Sequence, residues 1–132
     1  MSLAVSDRLD ILDVLARADN AASRRDPDAY VELFTDDVVL DGDQGIHVGK
    51  ERLRQAVAPI WAGEGARTLH LTLNATLEIV GSGTDEVIAN SVLLIVRPGA
   101  SPQILTAAII TQHLRRIGTS WRIAHRTVKT AT

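Results

Sequence analysis

Polar positions recur every three or four residues along the first helix-length stretch of the chain. Asp10, Asp13, Arg17, Asn20 and Arg24 form a stripe, and Leu12, Leu15, Ala16 and Ala22 lie opposite it. That is the period of an amphipathic helix, predicted over 7–24. Asp26-Pro27 then restarts a helix, because aspartate accepts from free N–H groups at an N-cap and proline suits the first helical position. This second helix is predicted over 27–35, with Tyr30, Leu33 and Phe34 as packing residues. VVLD (38–41) and IHV (46–48) read as short strands about a GDQG turn. Gly49 precedes a third helix through Leu53, Val57, Ile60 and Trp61, which GEGA ends.

From residue 67 the period changes. Runs rich in Val, Ile, Leu and Thr cover 68–80, 86–97, 103–117 and 120–128, and GSGTD, RPGASP and GTS separate them. Links of this length join antiparallel strands. The order is ααββαββββ, an α+β domain in which helices are segregated from an antiparallel sheet. Long strands curl, and helices on the concave side would make a cone with an open mouth and a partly apolar interior. The other sheet face needs cover, so a homodimer is expected.

Length and composition narrow this picture without changing it. At 132 residues and 45% hydrophobic, the chain reads as one domain, 1–132, with a core of its own. The formal net charge of −2 calls for neither nucleic acid nor an anionic membrane. There is no cysteine, which excludes disulfides and thiolate chemistry. No signal-peptide pattern and no run near membrane-spanning length is read, so a cytoplasmic location is expected. No HExxH or HxH pattern, phosphate-binding loop or nucleophile elbow occurs, so no metal and no cofactor are expected.

The candidate chemistry centres on His70, in TLHLTLN. Imidazole is the usual general base near neutral pH. Asp19 stands about 200° round the first helix from Arg17 and so faces inward with Leu15 and Ala22; a buried carboxylate needs partners. Asp41 ends the first strand beside Gly42. His125 alternates onto the face of Trp121 and Ile123. Arg115, Arg116, Arg122 and Arg126 read as solvated strand faces, and His113 as a solvated or interface residue.

RRDPDAY (24–30), LFTDDVVLD (33–41), VGKERLR (48–54), LHLTLN (69–74) and SWRIAHRTV (120–128), in this order, resemble the SnoaL-like group of the nuclear transport factor 2-like superfamily. The resemblance covers nearly the whole chain and implies the cone-shaped fold. In several enzymes of the superfamily, scytalone dehydratase-like and hexachlorocyclohexane dehydrochlorinase-like ones among them, a histidine in an xHxxxN context works with a carboxylate at the end of helix one. His70 and Asn74 match that motif, but the carboxylate position falls on Ser23. Against ketosteroid isomerase the oxyanion-hole and base positions fall on Ala18 and Gly42. What the resemblance implies is a cofactor-independent lyase or isomerase acting by proton abstraction on a small, mainly apolar molecule. His70 would be the base and Asp19, one turn before Ser23, its orienter; Ser23, Asn74, Asp41 and His125 would be ligand-binding. A non-catalytic binding module or inactive relative, and a polyketide-type cyclase, are the alternatives.

Overall fold

The computed structural model describes residues 2–65 and 67–130. The elements are α1 (Val5–Ser23), α2 (Pro27–Val31), β1 (Phe34–Gly42), β2 (Gly45–Val48), α3 (Lys50–Gly63), β3 (Leu69–Ile79), β4 (Glu86–Arg97), β5 (Gln103–Ile117) and β6 (Ser120–Thr130). The order ααββαββββ is the one the patterning predicts. The strands form one curved, unclosed sheet in the order β2-β1-β6-β5-β4-β3. It is mixed rather than wholly antiparallel, because β1 runs parallel to β6 while every other pair is antiparallel.

The second helix is shorter than predicted and the first strand longer. Asp26 caps α2 through the backbone N–H of Ala29 at 3.1 Å, with Pro27 at the first turn. The helix stops at Val31 because the next residues join the sheet. Ile123 donates its N–H to the Leu33 carbonyl at 2.9 Å, and Phe34, fully buried, pairs with Ile123. Tyr30 packs on Phe34 and edge-on to Trp61, with ring centroids 4.8 and 5.3 Å apart. These are three of the chain's four aromatic side chains, and they join α2, β1 and α3 at the centre of the core. Gly49 has φ +94°, a conformation open to glycine, and its N–H reaches the Val38 carbonyl as the chain leaves β2 for α3.

Strand β3 lies at an edge of the sheet, and its outward N–H groups need acceptors. Helix α1 supplies them with side chains. Ser23 Oγ accepts from the His70 N–H at 2.9 Å, and Asp19 Oδ2 accepts from the Thr72 N–H at 2.8 Å. Four residues of helix rise about 6 Å and two residues of strand about 6.6 Å, so one helical turn matches one strand repeat. Asp19 is buried, as its place on α1 predicts, but its carboxylate is committed to a backbone edge.

Bulges break the sheet's alternation. Asn74 has φ +59° and sits where the β3–β4 register shifts between Leu73 and Thr76. In β6 the register shifts between Ile123 and His125, so Ala124 is an extra residue. A one-residue bulge turns every following side chain to the other face. Trp121 and Ile123 point inward, but beyond Ala124 it is Arg126 that is buried, not His125. His125 lies on the outer face, its ring 5.9 Å from that of its cross-strand partner His113. Neither the inward His125 nor the solvated Arg126 of the alternation pattern survives this bulge.

The far end of α1 is held by charge. Arg116 donates to both carboxylate oxygens of Asp7 at 3.0 Å, the Trp121 indole N–H donates to the same carboxylate at 3.2 Å, and the guanidinium lies 4.7 Å from the indole centroid. The Arg116 hydrogen bonds, and then the indole, hold the Asp7 carboxyl below its ordinary value. A carboxyl depressed on folding stabilises the fold above its unfolded value, and the contribution fades as pH falls through the folded one. Melting temperature measured from neutral pH down into the carboxylate range should therefore fall on the acid side. Asp7→Asn should lower the neutral plateau and flatten that acid limb; an unchanged limb would remove Asp7 from its cause.

Candidate active site

Between the concave sheet and α3 lies a cavity of about 550 Å³. Tyr30, Leu40, Val57, Trp61, Leu93, Ile95 and Val128 form much of its wall, and the β1–β2 turn, Asp43 to Gly45, lies at its rim. A shallower groove of about 330 Å³ between α1 and β6 lies elsewhere, with the exposed Asp13–Arg17 pair on its border.

His70 lines the large cavity and is only 7% exposed. The alternation of β3 explains this: Leu69, Leu71 and Leu73 are exposed on the outer face, while His70 between them points in. Its carboxylate partner is Glu64, at the C-cap of α3, with Oε1 2.8 Å from Nε2. Asp19 forms no ion pair with His70 among the described residues; it holds the Thr72 N–H instead. Ser23 holds the backbone of His70 and not its ring. Asn74 is exposed at the bulge, where its tolerance of the left-handed conformation fits the residue to the site. Asp41 alternates with Leu40, which faces the cavity, and so points to the outer side. His125 points out as well. Of the six residues proposed from sequence, only His70 lines the cavity.

Glu64 gave little signal in the sequence, because in GEGA it reads as a solvated helix end. It is instead the centre of a network. The Thr68 hydroxyl donates to Glu64 Oε1 at 2.9 Å. Arg25, just past α1 with φ +58°, donates to the Thr68 hydroxyl at 2.5 Å, to the carbonyls of Ala22 and Gly65 at 3.0 Å each, and to Glu64 at 3.5 Å. Arg25 thereby ties the end of α1 to the α3–β3 connection and fixes Glu64 against the imidazole. An ionised carboxylate only accepts, so neutral His70 must place its proton on Nε2. Nδ1 is then the nitrogen free to receive one.

Three further polar groups reach the same cavity. Arg126 is 5% exposed, and its Nη1 donates to Gln112 Oε1 at 3.2 Å. The Nε2 of His47 is buried and has no hydrogen-bond partner among the described residues. Tyr30 lines the wall, where burial pushes its phenol up; nearby Arg126 acts against that shift, and Asp19 and Glu64 add to it. Tyr30 is thus a neutral donor at physiological pH. Among the described residues no group of three or more His, Asp or Glu side chains is placed to hold a metal ion. No described helix is long and apolar enough to cross a membrane.

Helices packed into an unclosed curved sheet give the chain a cystatin-like, nuclear transport factor 2-like fold. The family model of the SnoaL-like domain matches residues 4–127, and the chain belongs to that family. No curated protein matches it by sequence. Among solved structures it is similar to a protein of unknown function with a cystatin-like fold from Nostoc punctiforme. The two are 26% identical over 99% of this chain and 96% of that one, with a TM-score of 0.87. It is also similar in fold to the hexachlorocyclohexane dehydrochlorinase LinA-type3 from Novosphingobium barchaimii, at 18% identity, 97% and 88% coverage and a TM-score of 0.83. A nuclear transport factor 2-like protein from Novosphingobium aromaticivorans gives 20% identity, 94% and 81% coverage and a TM-score of 0.79.

The two inward carboxylates can be told apart by substitution. Asp19→Ala should cost about 1–3 kcal/mol of stability, the penalty for an unmade backbone hydrogen bond, and leave the His70 tautomer unchanged. Glu64→Gln should release the preference for Nε2–H, seen as a changed pattern of imidazole nitrogen shifts by NMR. A tautomer that follows Asp19 and ignores Glu64 would reverse the assignment.

Proposed function

We propose that the protein is a small-molecule lyase or isomerase in which His70 removes a proton from carbon and Glu64 orients it. The observation that carries this reading is the buried His70–Glu64 contact of 2.8 Å at the wall of a cavity large enough for a small organic molecule. Imidazole has the basicity for proton abstraction near neutral pH, and a carboxylate on the far nitrogen stabilises the imidazolium that forms. The mainly apolar wall suits an apolar substrate body. Family membership and the fold shared with a dehydrochlorinase favour elimination or isomerisation over other uses of a buried histidine.

Deuterium exchange tests this whatever the product is. Candidate molecules with an acidic C–H are incubated with the protein in heavy water, and deuterium uptake is followed by mass spectrometry. The expected result is exchange or elimination that falls by about 10²–10⁴-fold in His70→Ala, the usual contribution of a general base. Glu64→Gln should show a smaller loss. Ligand binding with no exchange in the unsubstituted protein would favour the binding-module reading.

We also propose that the chain self-associates through the outer face of the sheet. Leu69, Leu71 and Leu73 on β3 and Ile104 and Ile109 on β5 are exposed there at 39–64%, a patch that water-facing sheets rarely carry. Sedimentation should show a dimer or larger oligomer that Ile109→Glu dissociates. A monomer at micromolar concentration would remove the proposal.

A further inference from the structure

Arg126 is a buried cation with no carboxylate paired to it among the described residues. Its one hydrogen bond to a described residue goes to the neutral amide of Gln112, and a guanidinium carries five N–H donors. The carboxylates nearest the cavity are already engaged. Glu64 is shared by Arg25, Thr68 and His70, and Asp43 is exposed at the rim, where it takes the Thr130 hydroxyl. A buried charge without a counter-charge is costly, so the surroundings of Arg126 favour a bound group of opposite charge.

The sheet register shows where such a group would sit. Leu40 pairs with His47 on one side and Arg126 on the other, so the three stand in one row on the inner face. Two strand spacings separate His47 from Arg126, about 10 Å between backbones, a gap that a long arginine side chain shortens. His47, whose Nε2 has no partner among the described residues, and Arg126 thus line the same cavity from one row of the sheet. Gln112 holds Nη1 through its carbonyl oxygen, which fixes the fork. The walls beyond are apolar: Leu93, Ile95, Val128 and Trp61.

We propose that Arg126 is the anchor for an anionic ligand, a small monocarboxylate with an apolar body, which its guanidinium holds with two parallel hydrogen bonds. One free cation matches one negative charge, so a monoanion fits better than a phosphate dianion. This rests on the reading of the cavity as a substrate site and specifies the substrate class: an anionic head on the Arg126 side and the reacting carbon towards His70.

The experiment titrates the full chain with benzoate, phenylacetate and cyclohexanecarboxylate, each against its neutral amide, well above the acids' own pKa values. Trp61, in the cavity wall, supplies the fluorescence signal. At least one acid should bind about tenfold or more tighter than its amide, as a charge-assisted pair requires. Arg126→Gln should erase that difference, and Arg126→Lys, which keeps the charge but not the fork, should reduce it. If Arg126→Gln does not fold, the comparison of acid with amide in the unsubstituted protein and in Arg126→Lys decides. Acids and amides binding equally, none of the acids binding, or a preference undiminished in the Arg126 variants overturns the proposal. His70→Gln should keep the preference for acids while losing deuterium exchange. A preference for acids in a protein that exchanges no deuterium leaves Arg126 as the anchor and removes only His70 as the base.

Discussion

The geometry of the molecule depends on how the free edge of β3 is satisfied. An edge strand offers every second N–H to whatever lies beside it, and here that neighbour is a helix, whose own backbone groups are already used. Only side chains can answer. Asp19 and Ser23, one turn apart on α1, meet the N–H groups of Thr72 and His70, two residues apart on β3. This match fixes the helix in register along the strand. It also places the end of α1, and with it Arg25, against the connection that carries Glu64. The seam that closes the side of the cone therefore also sets the position of the site.

The seam explains why one inward aspartate was misleading. On a helical wheel Asp19 looks like a residue sent into a cavity, and it is indeed buried. A wheel shows direction from the helix axis but not what stands there. What stands there is strand backbone, and a carboxylate accepting from an N–H is committed as firmly as one accepting from an imidazole. His70, by contrast, was legible from alternation, because the leucines on either side of it take the outer face.

Much of the fold was legible for the same local reasons. The Asp26-Pro27 cap, the packing of Tyr30 and Phe34, and the four long strands follow from short-range patterns that the tertiary structure does not override. Three failures lie where a local rule meets a long-range one. The second helix ends early because β6 captures Phe34. Asn74 reads as a motif residue but serves a bulge. At Ala124 a single unpaired residue exchanges the fates of His125 and Arg126, and no periodicity in SWRIAHRTV announces it. A bulge is chosen by the pairing of two strands, so one strand's sequence is a poor guide to it.

Glu64 belongs to the same class of hidden residue, and its position bears on the chemistry. A carboxylate from α1 would hold His70 from a rigid helix. Glu64 comes from the last turn of α3, beside a glycine-rich connection, and would be loosely held on its own. Arg25 compensates by gripping the Gly65 carbonyl, the Thr68 hydroxyl and Glu64 itself. The arginine does so from a residue at which the chain turns into the left-handed region, just after α1 ends. The carboxylate beside His70 thus stands on a different element from the one the resemblance suggests, and a cation from the end of the original helix holds it in place. Because Glu64 occupies Nε2, the proton abstraction proposed for His70 falls to Nδ1, the nitrogen that Glu64 leaves free.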